Sequence, residues 1–171
     1  MDKKLETMIQ ALQENYGVTL EEVRGETHVF IKAENIIDVL TLLRDKYDFE
    51  LLSALTAVDY WPQRSPRYHV IYQLTSLARN LSLQLRVPLD GEDPHIPTAT
   101  GVYDVANWRE RELRDMFGIT PEGHPDPRIL LLPEGWEDKH PLRKDFPLGY
   151  EEVQFTFNFD DIDVRKPYAK E

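Results

Sequence analysis

Cysteine is absent from the 171 residues. That excludes disulfides, thiolate zinc sites, a cysteine nucleophile and ordinary iron–sulfur ligation by this chain. Positive charge is short, with 20 Lys and Arg against 31 Asp and Glu and a formal net charge of −11. Such a deficit argues against a nucleic-acid partner, whose phosphates need a basic face, and against a polybasic grip on anionic lipid. No apolar run approaches the roughly 20 residues that span a bilayer, so no direct membrane insertion is expected. No apolar stretch follows the lysines of MDKKLETMIQ, so no signal peptide is expected either, and the chain reads as cytoplasmic. Glycine numbers only 8, and neither GxGxxG nor GxxxxGK[ST] occurs, which leaves nucleotide binding unsupported.

What is present reads as one domain, long enough to bury about two thirds of its unfolded surface. Leu5, Met8, Ile9, Leu12 and Tyr16 recur at helical spacing and stop at Gly17. Short strands follow over Val18–Val23 and Thr27–Ile31, then a helix over Asn35–Tyr47 with Ile36, Val39, Leu40 and Leu43 on one face. Three more strands are expected at Leu51–Tyr60, Tyr68–Thr75 and Leu81–Val87. The last alternates Leu81, Leu83, Leu85 and Val87 with polar residues. The α-β-β-α-β-β-β order predicts an α+β, two-layer fold, its helices on one face of a mixed, mostly antiparallel sheet. Pro88, Pro94 and Pro97 hold the next stretch extended, and a third helix is predicted over Val102–Phe117, capped by Gly118. The organisation expected is a sheet core over 1–90, a helix and long ordered loop over 91–150 packed on the same domain, and an extended tail over 151–171. In that tail Val153, Phe155, Phe157 and Phe159 share one side, which points to docking on a partner.

Between Glu110 and Pro147 the chain is densest in charge, aromatics and prolines. A loop this long inside a compact domain is functional or disordered, and Leu130, Leu131, Leu132, Trp136 and Phe146 argue against disorder. On the helix, Val105, Trp108, Glu112, Asp115 and Met116 fall on one stripe, so carboxylates interrupt an apolar face. Glu110–Arg114 and Arg111–Asp115 stand at i, i+4, each worth tenths of a kcal/mol on a wet surface. A charge run is ordinarily a solvated face. The neighbouring apolar residues favour instead half-buried carboxylates accepting from Arg128, Arg143 or loop amides. So many arginines would lower carboxylate pKa values, which disfavours acid–base catalysis. His95, His124 and His140 each touch proline; with Asp126 they could be metal ligands, but their spacing fits donation to backbone carbonyls better. Arg143 and Lys144, beside Asp145 and Phe146, could anchor the loop or grip a partner's carboxylates.

The joined motifs ERELRDMFG (Glu110–Gly118), GHPDPRILLLPE (Gly123–Glu134), Trp136 and HPLRKDFP (His140–Pro147) resemble the signature of the thirty-kilodalton family, the C subunits of respiratory NADH:quinone oxidoreductase, complex I. LTAVDY (Leu55–Tyr60) and HIPTAT (His95–Thr100) are similar to it too, so the resemblance covers roughly residues 5–150. Arg114 stands where that family usually has an aromatic, and Ile129 where it has a second basic residue. The resemblance implies a non-catalytic subunit of the hydrophilic arm, on the cytoplasmic side of the membrane, that positions cluster- and quinone-bearing subunits. It implies no cofactor on this chain, with NADH, FMN, iron–sulfur clusters and quinone used by other subunits. The implied partners are the large forty-nine-kilodalton-type subunit and cluster-bearing subunits. The loop and its interface would be braced by Glu110, Arg111, Glu112, Asp115, His124, Asp126, Arg128, Trp136, Arg143, Lys144 and Asp145. Arg143→Ala is expected to lower assembly without altering the domain's own fold. Two alternatives stay open: the same scaffold in a membrane-bound hydrogenase or ferredoxin-fed NDH complex, and a metal-dependent enzyme using the three histidines.

Overall fold

A computed structural model describes residues 3–24, 26–133, 135–136 and 139–146. The expected Val153–Asp160 ribbon lies outside the described residues. Helix α1 (Lys3–Tyr16) leads into strands β1 (Thr19–Val23) and β2 (Glu26–Phe30), then a 3-10 turn (Ala33–Asn35) and helix α2 (Ile36–Tyr47). Strands β3 (Leu51–Asp59), β4 (Tyr68–Ser76) and β5 (Leu81–Leu89) complete a five-stranded sheet in the order β1-β2-β5-β4-β3. Every pairing is antiparallel except β2 with β5, which places Val29 opposite Leu85 in a parallel register. The mixed, mostly antiparallel sheet expected from the strand order is therefore present.

The core follows from the alternation. Val70, Tyr72 and Leu74 of β4 and Leu83, Leu85 and Val87 of β5 are buried, and the residues between them are half-buried on the other face. Met8, Ile9 and Leu12 of α1 and Ile36, Val39, Leu40 and Leu43 of α2 join the same cluster. Full burial of each such aliphatic side chain contributes about 1.5–3 kcal/mol. The 3.6-residue period of the helices and the two-residue period of the strands deliver their apolar residues to one common layer.

Two elements differ from expectation. Helix α3 spans Ala106–Phe117, four residues later than the apolar spacing predicts. Residues 102–105 form turns instead, because Arg44 takes the Val102 carbonyl (2.7 Å) and the Tyr103 hydroxyl is drawn to the Phe49 carbonyl (2.7 Å). The proline-rich stretch also contains a strand, β6 (His95–Pro97), paired in parallel with β7 (Thr120–Glu122) just beyond α3. Helix α3 lies against β3, and Ile96, Ala99, Leu113, Phe117 and Ile119 extend the central core beneath it.

Candidate functional site

The buried face of α3 is not the one expected. Ala106, Glu110, Leu113 and Phe117 follow i, i+4, i+7, i+11 and point inward, with Arg111 and Asp115 also buried. Val105 and Trp108, expected inside, are exposed, and Glu112 is half-buried with Arg109 3.3 Å away. The predicted i, i+4 ion pairs give way to tertiary partners. Glu110 accepts from the Thr98 hydroxyl (2.5 Å) and the Ala99 amide (2.6 Å), which staples the end of β6 to α3. Arg114 turns outward to the Pro127 carbonyl. Burial raises the Glu110 pKa, only partly opposed by Thr98, Ala99 and the His124 ring. Glu110 thus departs from the expectation that nearby arginines lower carboxylate pKa values: those arginines face other groups, and desolvation wins.

The described residues after β7, 123–133, 135–136 and 139–146, form a strap laid across α3. Arg111 donates to the Arg128 carbonyl (2.9 Å) and the Ile129 carbonyl (3.0 Å), and lies 3.3 Å from Asp126. Asp115 accepts from the Leu130 and Leu131 amides at 2.8 and 2.7 Å. Neither Arg128 nor Arg143 reaches Asp115. Arg128 instead clasps Asp126 through two nitrogens, and the Arg128 guanidinium holds that carboxyl well below the usual carboxylate range. His124 accepts from the Asp126 amide at Nδ1 and faces the Asn107 carbonyl with Nε2, which fixes the Nε2–H tautomer. His140 Nδ1 faces the Asp115 carbonyl and His95 Nδ1 that of Asp93. The three rings thus serve three separate carbonyls, and among the described residues no group of three His, Asp or Glu is placed to hold a metal ion.

At its far end the strap is latched to the sheet. Arg67, just before β4, donates to both oxygens of Asp59 at 2.9 Å and to Asp145 at 2.5 and 3.1 Å. The Lys144 amide adds a bond to Asp59 at 2.8 Å, while the Lys144 side chain is exposed. Burial pushes the Asp59 pKa upward, but Arg67 and the Lys144 and Trp61 amides outweigh it and hold the carboxyl below its ordinary value. Arg67 likewise lowers Asp145. The guanidinium also lies 4.9 Å from the Trp61 and Tyr68 ring centroids. Arg143 faces inward, donating to the Phe117 carbonyl at 2.6 Å. Its replacement is therefore expected to disturb the strap as well as assembly. Trp136 is half-buried, 6.3 Å from the Phe146 ring and 4.8 Å from the Lys139 ammonium.

Asp59 and Arg67 form a doubly bonded, buried ion pair, yet neither is among the expected site residues. The signals available were the LTAVDY motif around Asp59 and, for Thr98, HIPTAT; Arg67 carries none. Outward, the strap and α3 present apolar side chains: Trp108 is 59% exposed, Leu131 56% and Leu142 51%.

The family model described as "Respiratory-chain NADH dehydrogenase, 30 Kd subunit" matches residues 29–152. The NADH-quinone oxidoreductase C subunit of Roseiflexus sp. (strain RS-1) is 47% identical over 152 residues, covering 88% of this chain and 86% of the relative. The trypsin-resistant fragment of Nqo5 superposes with a TM-score of 0.65 at 31% identity, over 72% of this chain and 98% of that one. A chain of the membrane-bound sulfane sulfur reductase, an archaeal respiratory membrane complex, shares the fold alone, with a TM-score of 0.72, 20% identity, and 99% and 97% of the two chains covered. The motifs on α3 and its strap thus sit in a chain matched along most of its length, and the chain belongs to the thirty-kilodalton subunit family of respiratory NADH dehydrogenases, the C subunits of NADH-quinone oxidoreductase.

Proposed function

We propose that the chain is a non-catalytic positioning subunit in the hydrophilic arm of a proton-translocating NADH:quinone oxidoreductase. The observation that carries this is the strap, fixed to α3 and the sheet by buried charges while Leu131, Leu142 and Trp108 face outward. An ordered apolar surface loses little further freedom on binding, which favours docking over catalysis. The acids and bases a catalyst would need are already spent: Glu110, Asp115 and Arg111 are buried in structural hydrogen bonds. In this reading the surface docks on the large forty-nine-kilodalton-type subunit and on cluster-bearing subunits, and this chain binds no cofactor. NADH, FMN, iron–sulfur clusters and quinone are then handled by those neighbours. Holding electron carriers at fixed separations is the chemical contribution, since transfer slows steeply with distance. Among the described residues no helix is long and apolar enough to cross a membrane. The proposed place is peripheral, on the cytoplasmic face. The names of curated relatives such as the Roseiflexus chain favour NADH input over the hydrogenase alternative.

Leu131→Asp tests the reading in the assembled complex. The side chain is exposed, so the isolated chain should keep its stability while the forty-nine-kilodalton-type partner is lost from it during purification. Wild-type retention in high salt would overturn the docking role.

A further inference from the structure

We propose that the cleft between the last turns of α3 and the strap seats a carboxylate side chain, Asp or Glu, presented within an apolar segment of a neighbouring subunit. This rests on the docking reading above and names the chemistry it needs. The cleft has a volume of about 390 Å³ and is walled by Pro127, Ile129 and Leu132, with Arg114, Arg128 and His140 at its polar side.

The charges around it are unevenly met. Three arginines on α3 and the strap are exposed: Arg109, Arg114 and Arg128. Arg109 meets Glu112 and Arg128 meets Asp126. Among the described residues the Arg114 side chain meets only the Pro127 carbonyl, with no carboxylate within ion-pair distance of it. Asp115, next to it in sequence and lining the same cleft, is buried and spends one oxygen on the Leu130 and Leu131 amides. The His140 ring faces the Asp115 carbonyl with Nδ1.

An arginine cannot shed its proton when it is covered. A neighbour that closes over this cleft must therefore bring an anion or strand a cation. The guanidinium fork grips a carboxylate through two parallel bonds, and Pro127, Ile129 and Leu132 would cover the stem that carries it and exclude water. Exposed cations such as Arg24, Lys32 and Arg64 also lack an ion-pair partner among the described residues, but Arg114 lines a walled cleft where a partner's side chain would be held. That makes this position a discriminating contact instead of a generic one.

The test uses the intact complex purified from cells carrying Arg114→Lys in this chain. A water-soluble carbodiimide joins an amine to a carboxyl it touches, and peptide mass spectrometry locates the amide. A new link between position 114 and an Asp or Glu of another subunit, absent from treated wild type, is expected. A link only to acids of the same chain, or none, would overturn the proposal. A second arm compares Arg114→Glu with Arg114→Gln. Charge reversal should weaken retention of the neighbour at least about tenfold more than neutralisation at moderate salt. Equal loss in both would mean that bulk, not charge, is read there, and the proposal falls. Leu131→Asp separates the two ideas. If it releases the neighbour while neither change at position 114 does, docking stands and the carboxylate seat is rejected. If none of them matters, both are rejected.

Discussion

Asp59 has no exposed side-chain surface and its partner Arg67 only 7%, so each neutralises a charge that water cannot reach. Asp59→Ala would leave Arg67 with Asp145 alone, and removing one member of a buried pair costs about 3–5 kcal/mol. Asp145 is 37% exposed on the same guanidinium, so Asp145→Ala should cost about 1 kcal/mol after discounting for solvent. Urea denaturation of the isolated chain, followed by tryptophan fluorescence, measures both; equal losses would mean that Asp59 is not the anchor. Glu110 behaves oppositely. Its carboxyl is fully buried with a raised pKa, so the stability it provides is complete below the unfolded pKa and declines as pH rises through the folded one. A Gln amide could still accept from Ala99 and donate to Thr98. Glu110→Gln is therefore expected to lie within about 1 kcal/mol of wild type at pH 7 and to remove that decline. A large loss at neutral pH, read by the same denaturation, would contradict this account.

The strap depends on where α3 ends. Gly118 adopts φ +70° and its amide closes on the Arg114 carbonyl at 2.9 Å. A Cβ there would collide with the Arg143 and His140 side chains that tie the strap down. Gly118→Ala adds left-handed strain of about 1–2 kcal/mol to that collision. It should destabilise the chain by more than about 2 kcal/mol, with faster amide exchange at Leu142 and Arg143 than in β4. Uniform faster exchange would show that the cap serves the whole fold and not the strap.

Elements differ in how readable they are. Strands β3, β4 and β5 and helices α1 and α2 were legible because each runs nine residues or more with a regular apolar period, and the Gly118 cap because glycine has a conformational meaning of its own. The β6–β7 ladder was not, since HIP and TPE are three residues each and their prolines look like breakers. On α3 the period was readable but its phase was not: Glu110 counts as polar in any hydropathy pattern, yet lies inward because Thr98 and Ala99 meet it. Arg67 sits 78 residues from Asp145, between turns and a strand, where no local pattern can reveal the pairing.

The whole molecule responds to acid through the imbalance of these groups. Asp59, Asp145 and Asp126 have depressed carboxyl pKa values, each beside an arginine. Such groups contribute stability that is present above the unfolded carboxyl value and lost as pH falls through the folded one, progressively below about pH 5. All three lie on the strap or on the residue that receives it. Glu110, with the opposite sign, gains as they lose, and it belongs to the β6–α3 junction. Apart from Asp59 at the end of β3, the sheet layer is held mainly by apolar burial; its His69, whose pKa burial lowers, also loses stability as pH falls through the ordinary histidine range. Acid should therefore open the molecule in order, the strap before the sheet. Hydrogen exchange at pH 7 and pH 4 is expected to show Leu130, Leu131 and Lys144 amides losing protection while those of β4 and β5 keep theirs. In the assembled complex the same shift should loosen this chain from its neighbours before its own core melts. If strap and sheet amides lose protection together, the strap is a cooperative part of the core, and the picture of a latched docking element is wrong.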